Sequence, residues 1–500
     1  MDSKEINALV AENGLRVELD SVKGKRTVAV REFKRGDTIL SIRPLYEFPA
    51  RGNKESTESR CAHCFARLPK RRPRCSQCRQ TQYCSINCQT THWTSRHYFE
   101  CMKMDERAVD AACMELKPEF RPSLRMCVGV MRTMSFQTVP AWLRVQREAW
   151  HMLVTHRDKH PQFVLTQYEE IARVINTHHS DIGLDSTSDA IDVLCRSGCN
   201  NFAAYEPNGP RMSGYLCSPL VSLLLNHSCL PNAAFVYMGG MQIVRALDDI
   251  QIGDEITLAY MDGLQPRDVR QKQLSAVYFF DCTCNKCCGE SARAQVDVLM
   301  SRALGVDGQM PEYLPTDYVQ PPAIEPWVLR VIDILLAHCQ DGTRYGFDQG
   351  LLDCVGSLPP RNFSFAAYTH WLECQDDCLE RISSECVSSN VRAWACVSAM
   401  YVLAFYACVY PPYLSLVGFQ CLETSKLVWN TLVASEMSNE MPNEMPNEWV
   451  ELGLSLDRVK RLARCAQNIL RVSAEPSVSA EGDLSVESQV ALLAGQSFVN

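Results

Sequence analysis

Hydrophobic positions recur with a helical period through two long parts of the chain. Residues 105–195 are predicted mostly as helix, and the segment 164–179 (VLTQYEEIARVINTHH) places its apolar residues on one helix face. Gly36 and Asp37 precede the apolar segment 38–42 (TILSI), which is typical of a turn leading into a strand. The helical period returns beyond residue 326, in the segments 326–340, 392–409 and 455–472. We therefore expect an α+β chain with a helical C-terminal half.

One short apolar run ends in an unusual polar cluster. Residues 219–225 (PLVSLLL) predict a buried strand or helix. The next residues, 226–232 (NHSCLPN), place Asn226, His227 and Cys229 directly behind that element. Polar residues at this position require an explanation, and the distribution of the other cysteines explains the presence of Cys229.

The size and composition are those of a multidomain globular protein. The chain has 500 residues, of which 46% are apolar and 22% charged. No run of 18 apolar residues lacks a charge or a breaker, and the N-terminal segment MDSKEINALV has no basic flank or apolar core. We expect no membrane span, no secretory signal and a location in the cytoplasm or nucleus. The repeat at 436–448 predicts a mobile acidic loop, and the segment 475–500 a disordered tail.

Charge is distributed unevenly along the chain. The net charge is −8, but residues 291–500 carry 13 basic and 25 acidic side chains, which leaves +4 for the first 290 residues. Within 51–101, 10 basic side chains stand against 3 acidic ones. The acidic half would attract basic substrates such as histone tails, although a solvated acidic face is the alternative interpretation.

The 26 cysteines favour metal binding over disulfides, because no secretory signal is expected. About half of them lie in two tight clusters, and we interpret the scattered ones as small buried hydrophobic residues. Cys374 and Cys378 have ligand spacing, but no second pair lies nearby in the sequence, so we assign them to helix packing.

The first cluster lies between residues 61 and 101. A tetrahedral zinc ion takes four ligands, so eight candidates predict two zinc sites. The segment has too few apolar residues for a core and must be held together by metal. His63 and His92 fall outside the spacing and are predicted not to bind zinc. The eight candidate ligands are Cys61, Cys64, Cys75, Cys78, Cys84, Cys88, His97 and Cys101. The spacings of Cys84 to Cys88 and of His97 to Cys101 place each pair on one side of a helix.

The second cluster contains three closely spaced thiols. Cys282, Cys284 and Cys287 form a C-x-C-x2-C run, one ligand short of a structural zinc site. Cys288 would have to fold back on its neighbour, so Cys229, 53 residues upstream, is the better fourth ligand. A buried free thiol at Cys229 is the alternative. This assignment predicts a third structural zinc ion.

The first cluster resembles a MYND zinc finger. The shared pattern is C-x2-C, C-x2-C, Y-C-x3-C and H-x3-C, with Trp93 ahead of His97. The resemblance implies interleaved ligands. Cys61, Cys64, Cys84 and Cys88 would bind one zinc ion, and Cys75, Cys78, His97 and Cys101 the other. MYND fingers bind peptides, often proline-rich ones. The basic run 70–74 (KRRPR) would also suit nucleic acid, or it is a solvated surface.

Three other segments look like the core of a SET domain: 226–232 (NHSCLPN), 253–260 (GDEITLAY) and 278–287 (YFFDCTCNKC). This resemblance implies small curved sheets closed by a pseudoknot, with an apolar strand ending at Asn226. It also implies methyl transfer from S-adenosylmethionine (SAM) to a lysine amine. The implied roles are cofactor binding by Gly24, Asn200, Asn226, His227 and Phe280, catalysis by Tyr260, and a lysine channel lined by Tyr278.

A SET core with an inserted MYND finger resembles the SMYD family. The resemblance implies a SAM-dependent protein-lysine N-methyltransferase acting on histone or non-histone lysines, with three structural zinc ions, peptide partners for the finger, and a monomeric state. The expected domains are an N-terminal SET segment (1–50), the MYND finger (61–101), a helical insert (102–195), the SET core (196–262), the post-SET segment (263–290) and an all-α, TPR-like domain (291–474).

One residue departs from the family pattern. The first SET element carries G-x-G, where the backbone approaches SAM, but this chain has Gly24 followed by Arg26 at the second glycine position. A positive φ there would strain Arg26 by about 1 kcal/mol or more. Arg26 therefore keeps an alternative open, a catalytically weak scaffold or transcriptional co-regulator that binds partners through the finger. A DNA-binding regulator is a third reading of the basic finger.

Overall fold

The structure is a computed structural model of the chain. It describes residues 3–50, 59–101, 105–179, 187–205, 212–304, 315, 318–341, 346–383, 388–436 and 455–473. The predicted tail lies outside these residues, as does the predicted acidic loop apart from Glu436. The chain forms two compact units. Unit 1 comprises Met1–Asn226, Phe235–Leu258 and Gln273–Asp281, and unit 2 comprises His227–Ala234, Ala259–Lys272 and Cys282–Asn500.

The strands of the described residues form small sheets, as the resemblance implied. Strands β1 and β2 make an antiparallel hairpin whose pairing runs from Leu15 opposite Ala29 to Asp20 opposite Gly24. Strands β3, β9 and β8 form one three-stranded sheet, and β4, β6 and β5 form another. The strands are β1 (Leu15–Asp20), β2 (Gly24–Ala29), β3 (Thr38–Ile42), β4 (Tyr46–Pro49), β5 (Asn201–Tyr205), β6 (Met212–Cys217), β7 (Asn226–His227), β8 (Ala233–Met238), β9 (Met241–Ala246) and β10 (Thr257–Leu258).

The described parts of the predicted helical segment 105–195, residues 105–179 and 187–195, are mostly helical in the structure. Its helices bury a common apolar cluster that includes Leu124, Val128, Ile171 and Leu194. The helices before residue 226 are α1 (Lys4–Glu12), α2 (Ile86–His92), α3 (Tyr98–Glu100), α4 (Glu106–Met114), α5 (Arg121–Ser135), α6 (Ala141–Met152), α7 (Gln162–His178), α8 (Thr187–Gly198) and α9 (Pro219–Leu224). Short 3-10 turns cover Pro118–Phe120 and Arg157–Lys159, and π-helical turns cover Trp93–His97 and Leu274–Tyr278.

The apolar run at 219–225 is the helix α9, so the strand implied by the resemblance is wrong. Pro219 occupies the first turn, where its missing N–H costs no helical hydrogen bond. Leu220, Val221 and Leu224 are buried. The helix ends at Leu224, whose carbonyl accepts a hydrogen bond of 2.5 Å from the Thr27 hydroxyl. A hydroxyl on strand β2 thus satisfies the carbonyl of the last helical residue, two positions before Asn226.

The C-terminal part of unit 2 is all helical in the described residues, as predicted. Its core contains Trp327, Leu335, Trp394, Phe405 and Val459. The helices that follow residue 262 are α10 (Arg267–Gln273), α11 (Asn285–Cys288), α12 (Ala292–Met300), α13 (Pro326–Asp341), α14 (Phe347–Val355), α15 (Phe365–Ser383), α16 (Ser389–Val409), α17 (Ser415–Glu436) and α18 (Leu456–Ser473). Cys374 and Cys378 are buried in α15, in line with their assignment to helix packing.

Helix α16 forms the centre of this helical core. By length and composition it is the one described helix that could cross a membrane, but 94% of its most apolar window is buried inside the protein. A helix that is apolar on all sides is expected wherever other helices surround it. Its environment here is that of a core helix.

The cysteine-rich finger packs on the sheets of unit 1 through apolar contacts. The Phe65 ring stacks on Tyr237 of β8 with the ring centres 4.5 Å apart. A Cβ atom at Gly214 of β6 would lie 2.3 Å from the same Phe65 ring, so only glycine fits there. The Tyr237 hydroxyl donates to the backbone oxygen of His63 at 2.9 Å.

A buried ionic cluster attaches the end of the finger to strand β4. The Arg96 guanidinium donates to Glu100 at 2.9 Å and to the backbone oxygen of Leu45 at 3.1 Å. Its Nε also lies 3.7 Å from the Glu47 carboxylate. Burial raises the pKa of Glu47 to about 7, although Arg96 opposes this shift. One buried arginine thus stands between two buried carboxylates and fixes the finger to the strand.

Candidate metal centres and active site

The eight predicted ligands of the finger form two groups of four. Cys61, Cys64, Cys84 and Cys88 make one group, and the ligand atoms all lie within 4.8 Å of one another. The second group meets the same limit and contains Cys75, Cys78, His97 and Cys101. The grouping is the interleaved one that the MYND resemblance implied.

Two identical turns prepare the paired cysteines of the finger. Phe65 and Arg79 each follow a C-x2-C pair, and both adopt left-handed backbone conformations, with φ of 62° and 60°. Their backbone N–H groups donate to the oxygens of Cys61 and Cys75 at 3.1 and 3.0 Å. Such conformations are uncommon for side chains other than glycine, and here each one closes a loop that converges two thiols.

The expected helical pairing of Cys84 with Cys88 is wrong. Helix α2 begins at Ile86 and is capped by Ser85, whose hydroxyl accepts from the Cys88 N–H at 3.1 Å. Cys84 therefore lies outside the helix. Its Sγ atom is nevertheless 3.4 Å from Cys88 Sγ, because the cap turns the chain back on itself. The spacing argument assumed that both cysteines lie in one helix and did not consider a helix cap between them.

His97 and Cys101 lie in the turns that end the finger. The Cys101 N–H donates to the His97 oxygen at 2.7 Å, so these two residues are one helical turn apart, as expected. Burial lowers the pKa of His97 to about 4, which keeps the ring neutral, the form that binds metal. The Nε2 atom of His97 lies 3.5 Å from Cys78 Sγ.

His63 and His92 are buried, and neither belongs to the two ligand groups. The His92 ring stacks on His97 with centres 5.5 Å apart, and its Nδ1 lies 3.2 Å from the Tyr83 hydroxyl. The His63 ring is 5.6 Å from His92. His92 thus packs against the ligand His97, and His63 packs against His92. Neither ring belongs to a ligand group, in agreement with the prediction.

The third group joins Cys229 to the cysteines 53 and more residues downstream. Cys229, Cys282, Cys284 and Cys287 have Sγ atoms within 4.8 Å of one another, with Cys229 Sγ at 3.9 Å from Cys282 Sγ and 3.5 Å from Cys287 Sγ. Cys288 is exposed and lies outside this group. The alternative of a buried Cys229 with no cluster around it is excluded.

The three groups fit tetrahedral zinc. Zinc–sulfur bonds of about 2.3 Å in a tetrahedron place the sulfurs about 3.8 Å apart. The distances above run from 3.4 to 3.9 Å, whereas a disulfide would need about 2.05 Å. Burial raises the pKa of Cys101 to about 12, so a cation is needed to keep such thiols ionised together. These are three Cys or Cys/His zinc-binding clusters.

Side chains that the sequence argument missed surround the third cluster. The Arg270 guanidinium lies 3.5 Å from Cys287 Sγ and makes two hydrogen bonds, of 2.7 and 2.6 Å, to the buried Asp297 carboxylate. Gln271 donates to the backbone oxygen of Cys282 at 2.7 Å and accepts from its N–H at 2.9 Å. A sequence contains no signal for such contacts, because Asp297 and Arg270 lie on different helices.

In unit 2, His227 connects the third cluster to Tyr260. The backbone N–H of Tyr260 donates to Nδ1 of His227 at 3.0 Å, so the ring proton is on Nε2. That Nε2 lies 3.2 Å from Cys229 Sγ and donates to it. The ring centres of His227 and Tyr260 are 5.2 Å apart. One buried imidazole thus links a metal ligand to the backbone of the predicted catalytic residue.

In unit 1, Asn226 lies against the start of strand β2. Its Nδ2 donates to the backbone oxygen of Lys25 at 2.6 Å and to the Glu255 carboxylate at 2.9 Å. Gly24 has a φ of +77°, and no atom lies within 4 Å of the Cβ it lacks. The structure therefore brings the Gly24 turn and Asn226 together across about 200 residues.

Arg26 adopts the extended conformation of strand β2, opposite Glu18 of β1. Its guanidinium lies 2.9 Å from the Glu18 carboxylate. The left-handed strain considered for this position is absent from the structure. The replacement of the second glycine by arginine therefore costs no backbone strain.

The other predicted cofactor and channel residues also lie in unit 1. Asn200 donates from Nδ2 to the Arg196 oxygen at 2.7 Å and so caps helix α8. The neighbouring Cys199 thiol donates to the Val277 oxygen at 3.1 Å, next to Tyr278. Burial raises the pKa of Tyr278. The segment that carries Asn200 thus lies beside the segment that carries Tyr278 and Phe280.

A turn at Phe279 separates Tyr278 from Phe280. Phe279 has a φ of 62°, and His156, which it contacts with ring centres 5.0 Å apart, has a φ of 50°. The His160 ring lies 4.9 Å from the same phenylalanine. Side chains other than glycine rarely hold such angles unless their surroundings enforce them. None of these three residues was predicted.

The comparisons with known proteins agree with the predicted finger and find lysine methyltransferases among the similar proteins. The family described as MYND finger matches residues 61–101. The Histone-lysine N-methyltransferase ASHR1 of Arabidopsis thaliana is 30% identical over 268 residues, which are 53% of each protein. The N-lysine methyltransferase SMYD2 of Homo sapiens is 25% identical over 53% of this chain and 58% of its own length. The match thus spans little more than half of these relatives.

A solved structure described as the SET domain of LSMT bound to lysine and AdoHcy is also similar. The match covers 88% of this chain and 94% of that chain, with 10% sequence identity and a TM-score of 0.29. A likeness of this size is too small to carry an argument about the fold.

Proposed function

We propose that this chain is a member of the SMYD family and a SAM-dependent protein-lysine N-methyltransferase. The carrying observation is the contact of His227 with both Tyr260 and the zinc ligand Cys229. A structural cluster thereby supports the backbone of the one residue to which the resemblance assigns catalysis. The names of the similar proteins, both lysine methyltransferases, support the same activity.

The proposed roles follow from the chemistry of methyl transfer. When bound, SAM supplies a methyl group on a sulfonium. The acceptor lysine must be neutral, and a channel lined by Tyr278 would favour the neutral amine by desolvation. The Tyr260 hydroxyl would orient that amine for in-line attack, because alignment and exclusion of water supply much of the rate. Gly24, Asn200, Asn226, His227 and Phe280 would bind the cofactor. The zinc clusters have a structural role.

Replacement of Tyr260 tests this proposal. We expect Tyr260→Phe to lower methyl transfer to lysine-bearing proteins by about 100-fold or more, since the orienting hydroxyl is lost while the ring remains. Activity is measured as transfer of label from SAM to histones and to total protein, alongside zinc content and thermal melting. Tyr318→Phe, which changes a tyrosine that is 94% exposed, is the matched control. Equal activity of the Tyr260 variant and the control would refute the catalytic assignment.

The substrate, partners and location are proposed on weaker grounds. The net charge of −12 over residues 291–500 favours basic substrates, such as histone tails.

The MYND finger is proposed to bind peptides. Its exposed Lys70, Arg71 and Arg72 would favour acidic partners. The cysteines of the described residues form no disulfide with one another, and we propose a reducing location in the cytoplasm and nucleus. Salt dependence of peptide methylation and imaging of a tagged chain would test these points.

A further inference from the structure

The strand β2 and the segment 251–256 are joined by a regular set of backbone hydrogen bonds. The N–H of Ala29 donates to the Asp254 oxygen at 3.0 Å, and the N–H of Ile256 donates to the Thr27 oxygen at 2.9 Å. Glu255 stands between these two bonds, bridged to Val28. Its backbone is therefore held on both sides, and its side chain projects from a fixed point.

Each oxygen of the Glu255 carboxylate has its own partner. Oε1 accepts from Nδ2 of Asn226 at 2.9 Å, and Oε2 lies 2.5 Å from Nζ of Lys23. The Glu255 side chain is 16% exposed, whereas that of Lys23 is 36% exposed. A carboxylate engaged at both oxygens and anchored through its backbone has little freedom to rotate.

This arrangement determines which way the amide of Asn226 points. The two neighbours of its nitrogen are the Lys25 oxygen at 2.6 Å and the Glu255 carboxylate at 2.9 Å, and both can only accept hydrogen bonds. A reversed amide would face two acceptors with its own oxygen. The nitrogen is thus fully engaged, and among the residues that the structure describes no hydrogen bond is donated to Oδ1 of Asn226.

We propose that Glu255 is a positioning residue that orients the Asn226 amide so that Oδ1 accepts a hydrogen bond from an amine or hydroxyl group of the cofactor. The inference rests on the proposed function, because it takes Asn226 as a SAM ligand. Lys23 holds the far oxygen of Glu255, and the positive φ of Gly24 turns the chain so that Lys23 and the Lys25 oxygen reach the same carboxylate–amide pair. Glu255 acts through Asn226 and does not itself contact the cofactor.

The first test compares two variants of Glu255 by calorimetric titration with SAM. Glu255→Ala should weaken binding by about tenfold or more, because the amide then loses one of the two acceptors that fix its orientation and keeps only the Lys25 oxygen. Glu255→Gln keeps an oxygen that can accept from Asn226, while the half-exposed Lys23 can turn to water, so its affinity should stay within about threefold of the wild type. Asp249→Ala removes a carboxylate of the neighbouring segment that pairs with Lys34 and should leave affinity unchanged.

A second test compares the effect of Glu255→Gln on SAM affinity in two backgrounds, the wild type and Asn226→Asp, where opposite signs are expected. Asn226→Asp places a carboxylate oxygen against the Lys25 oxygen and Glu255, so SAM binding should fall. Adding Glu255→Gln should then improve binding, since the glutamine amide can donate to the new aspartate. In the wild-type background the same change should slightly weaken binding. A merely structural role of Glu255 would give the same sign in both backgrounds.

The outcomes separate this inference from the proposed function. Failure of the folded, zinc-loaded wild type to bind SAM would overturn the function and the inference together. Binding by the wild type with equal affinity in Glu255→Ala would overturn the inference alone. If Glu255→Ala does not fold, the two backgrounds of Glu255→Gln decide, and the absence of a sign change there would overturn it as well.

Discussion

Arg26 occupies the position of the second glycine in the SET pattern that the sequence resembles, yet its own backbone is that of an ordinary strand residue. It pairs with Glu18 across the β1–β2 hairpin, and its guanidinium turns to that carboxylate at 2.9 Å. The neighbouring Gly24 carries the positive φ at the turn. The reason for considering a catalytically weak scaffold is therefore removed at the level of backbone strain.

Restoring the glycine should not improve cofactor binding. We expect Arg26→Gly to leave SAM affinity within about threefold of the wild type and to destabilise the hairpin by about 0.5–1 kcal/mol, because glycine loses more entropy in a strand. Titration calorimetry and thermal melting measure the two effects. Arg16→Gly, which also removes a partner of Glu18 from a strand, is the control and should cost similar stability. A large gain of affinity in Arg26→Gly alone would contradict this account.

At the scale of elements, the short segments around the cysteines depend on metal rather than on apolar packing. The buried residues at the centre of the finger are Tyr83 and three of its cysteine ligands, Cys61, Cys75 and Cys101. Helix α11 is four residues long and carries Cys287 between Lys286 and Cys288. Helices of this length do not form alone, since nucleation is unfavourable. Binding of one zinc ion by four thiols, one of them Cys287, would stabilise this short helix.

The third cluster offers a test with a matched neighbour. Cys229→Ser should reduce the zinc content by one ion per molecule, from about three to about two, because a tetrahedral site loses one of four ligands. Cys288→Ser changes an exposed thiol next to Cys287 and should leave the zinc content unchanged. Elemental analysis of the purified proteins measures both. Loss of an ion in the Cys288 variant, with retention in the Cys229 variant, would reverse the ligand assignment.

At the scale of the whole molecule, buried charges in unit 2 link the third cluster to the helical core. Asp297 of α12 binds Arg270 through both oxygens, and Lys286 Nζ lies 3.8 Å from the same carboxylate. Arg270 and Lys286 are both buried. Lys286 also donates to the Gly263 oxygen at 2.9 Å. One carboxylate therefore compensates two buried cations.

Removal of that carboxylate should be costly. Asp297→Ala leaves two cations buried without their counter-charge, and we expect a loss of about 3–5 kcal/mol in the free energy of unfolding. Asp348→Ala breaks the pair with Arg293, but Asp348 is 50% exposed and the buried Arg293 still donates to the backbone oxygens of Ala407 and Cys408, so a smaller loss of about 1–2 kcal/mol is expected. Denaturant titration followed by fluorescence compares them. Equal losses in the two variants would show that the Asp297 network has no special role.

Local patterns were sufficient for most helices and for the metal ligands other than Cys229, which lies 53 residues before the rest of its group. A C-x2-C pair converges two thiols whatever the rest of the chain does, and a helical period needs only the residues within the helix. All twelve ligands fall into the predicted groups, but the interleaved grouping of the finger ligands came from the family resemblance and not from their spacing. The prediction of Cys229 did not depend on the family resemblance, because the C-x-C-x2-C run lacks one of the four ligands that a structural zinc site needs.

Contacts between distant segments could not be inferred in the same way. Three features depend on where strand β2 passes in space. They are the contacts of Asn226 with Lys25 and Glu255, the hydrogen bond from Thr27 to the last carbonyl of helix α9, and the unstrained backbone of Arg26. Short apolar runs such as 219–225 suit a helix or a strand equally, and the surroundings select between them. The spacing of residues along the chain determines which side chains a turn can bring together. The partners of a buried polar group depend instead on the path of the folded chain, which the spacing does not determine.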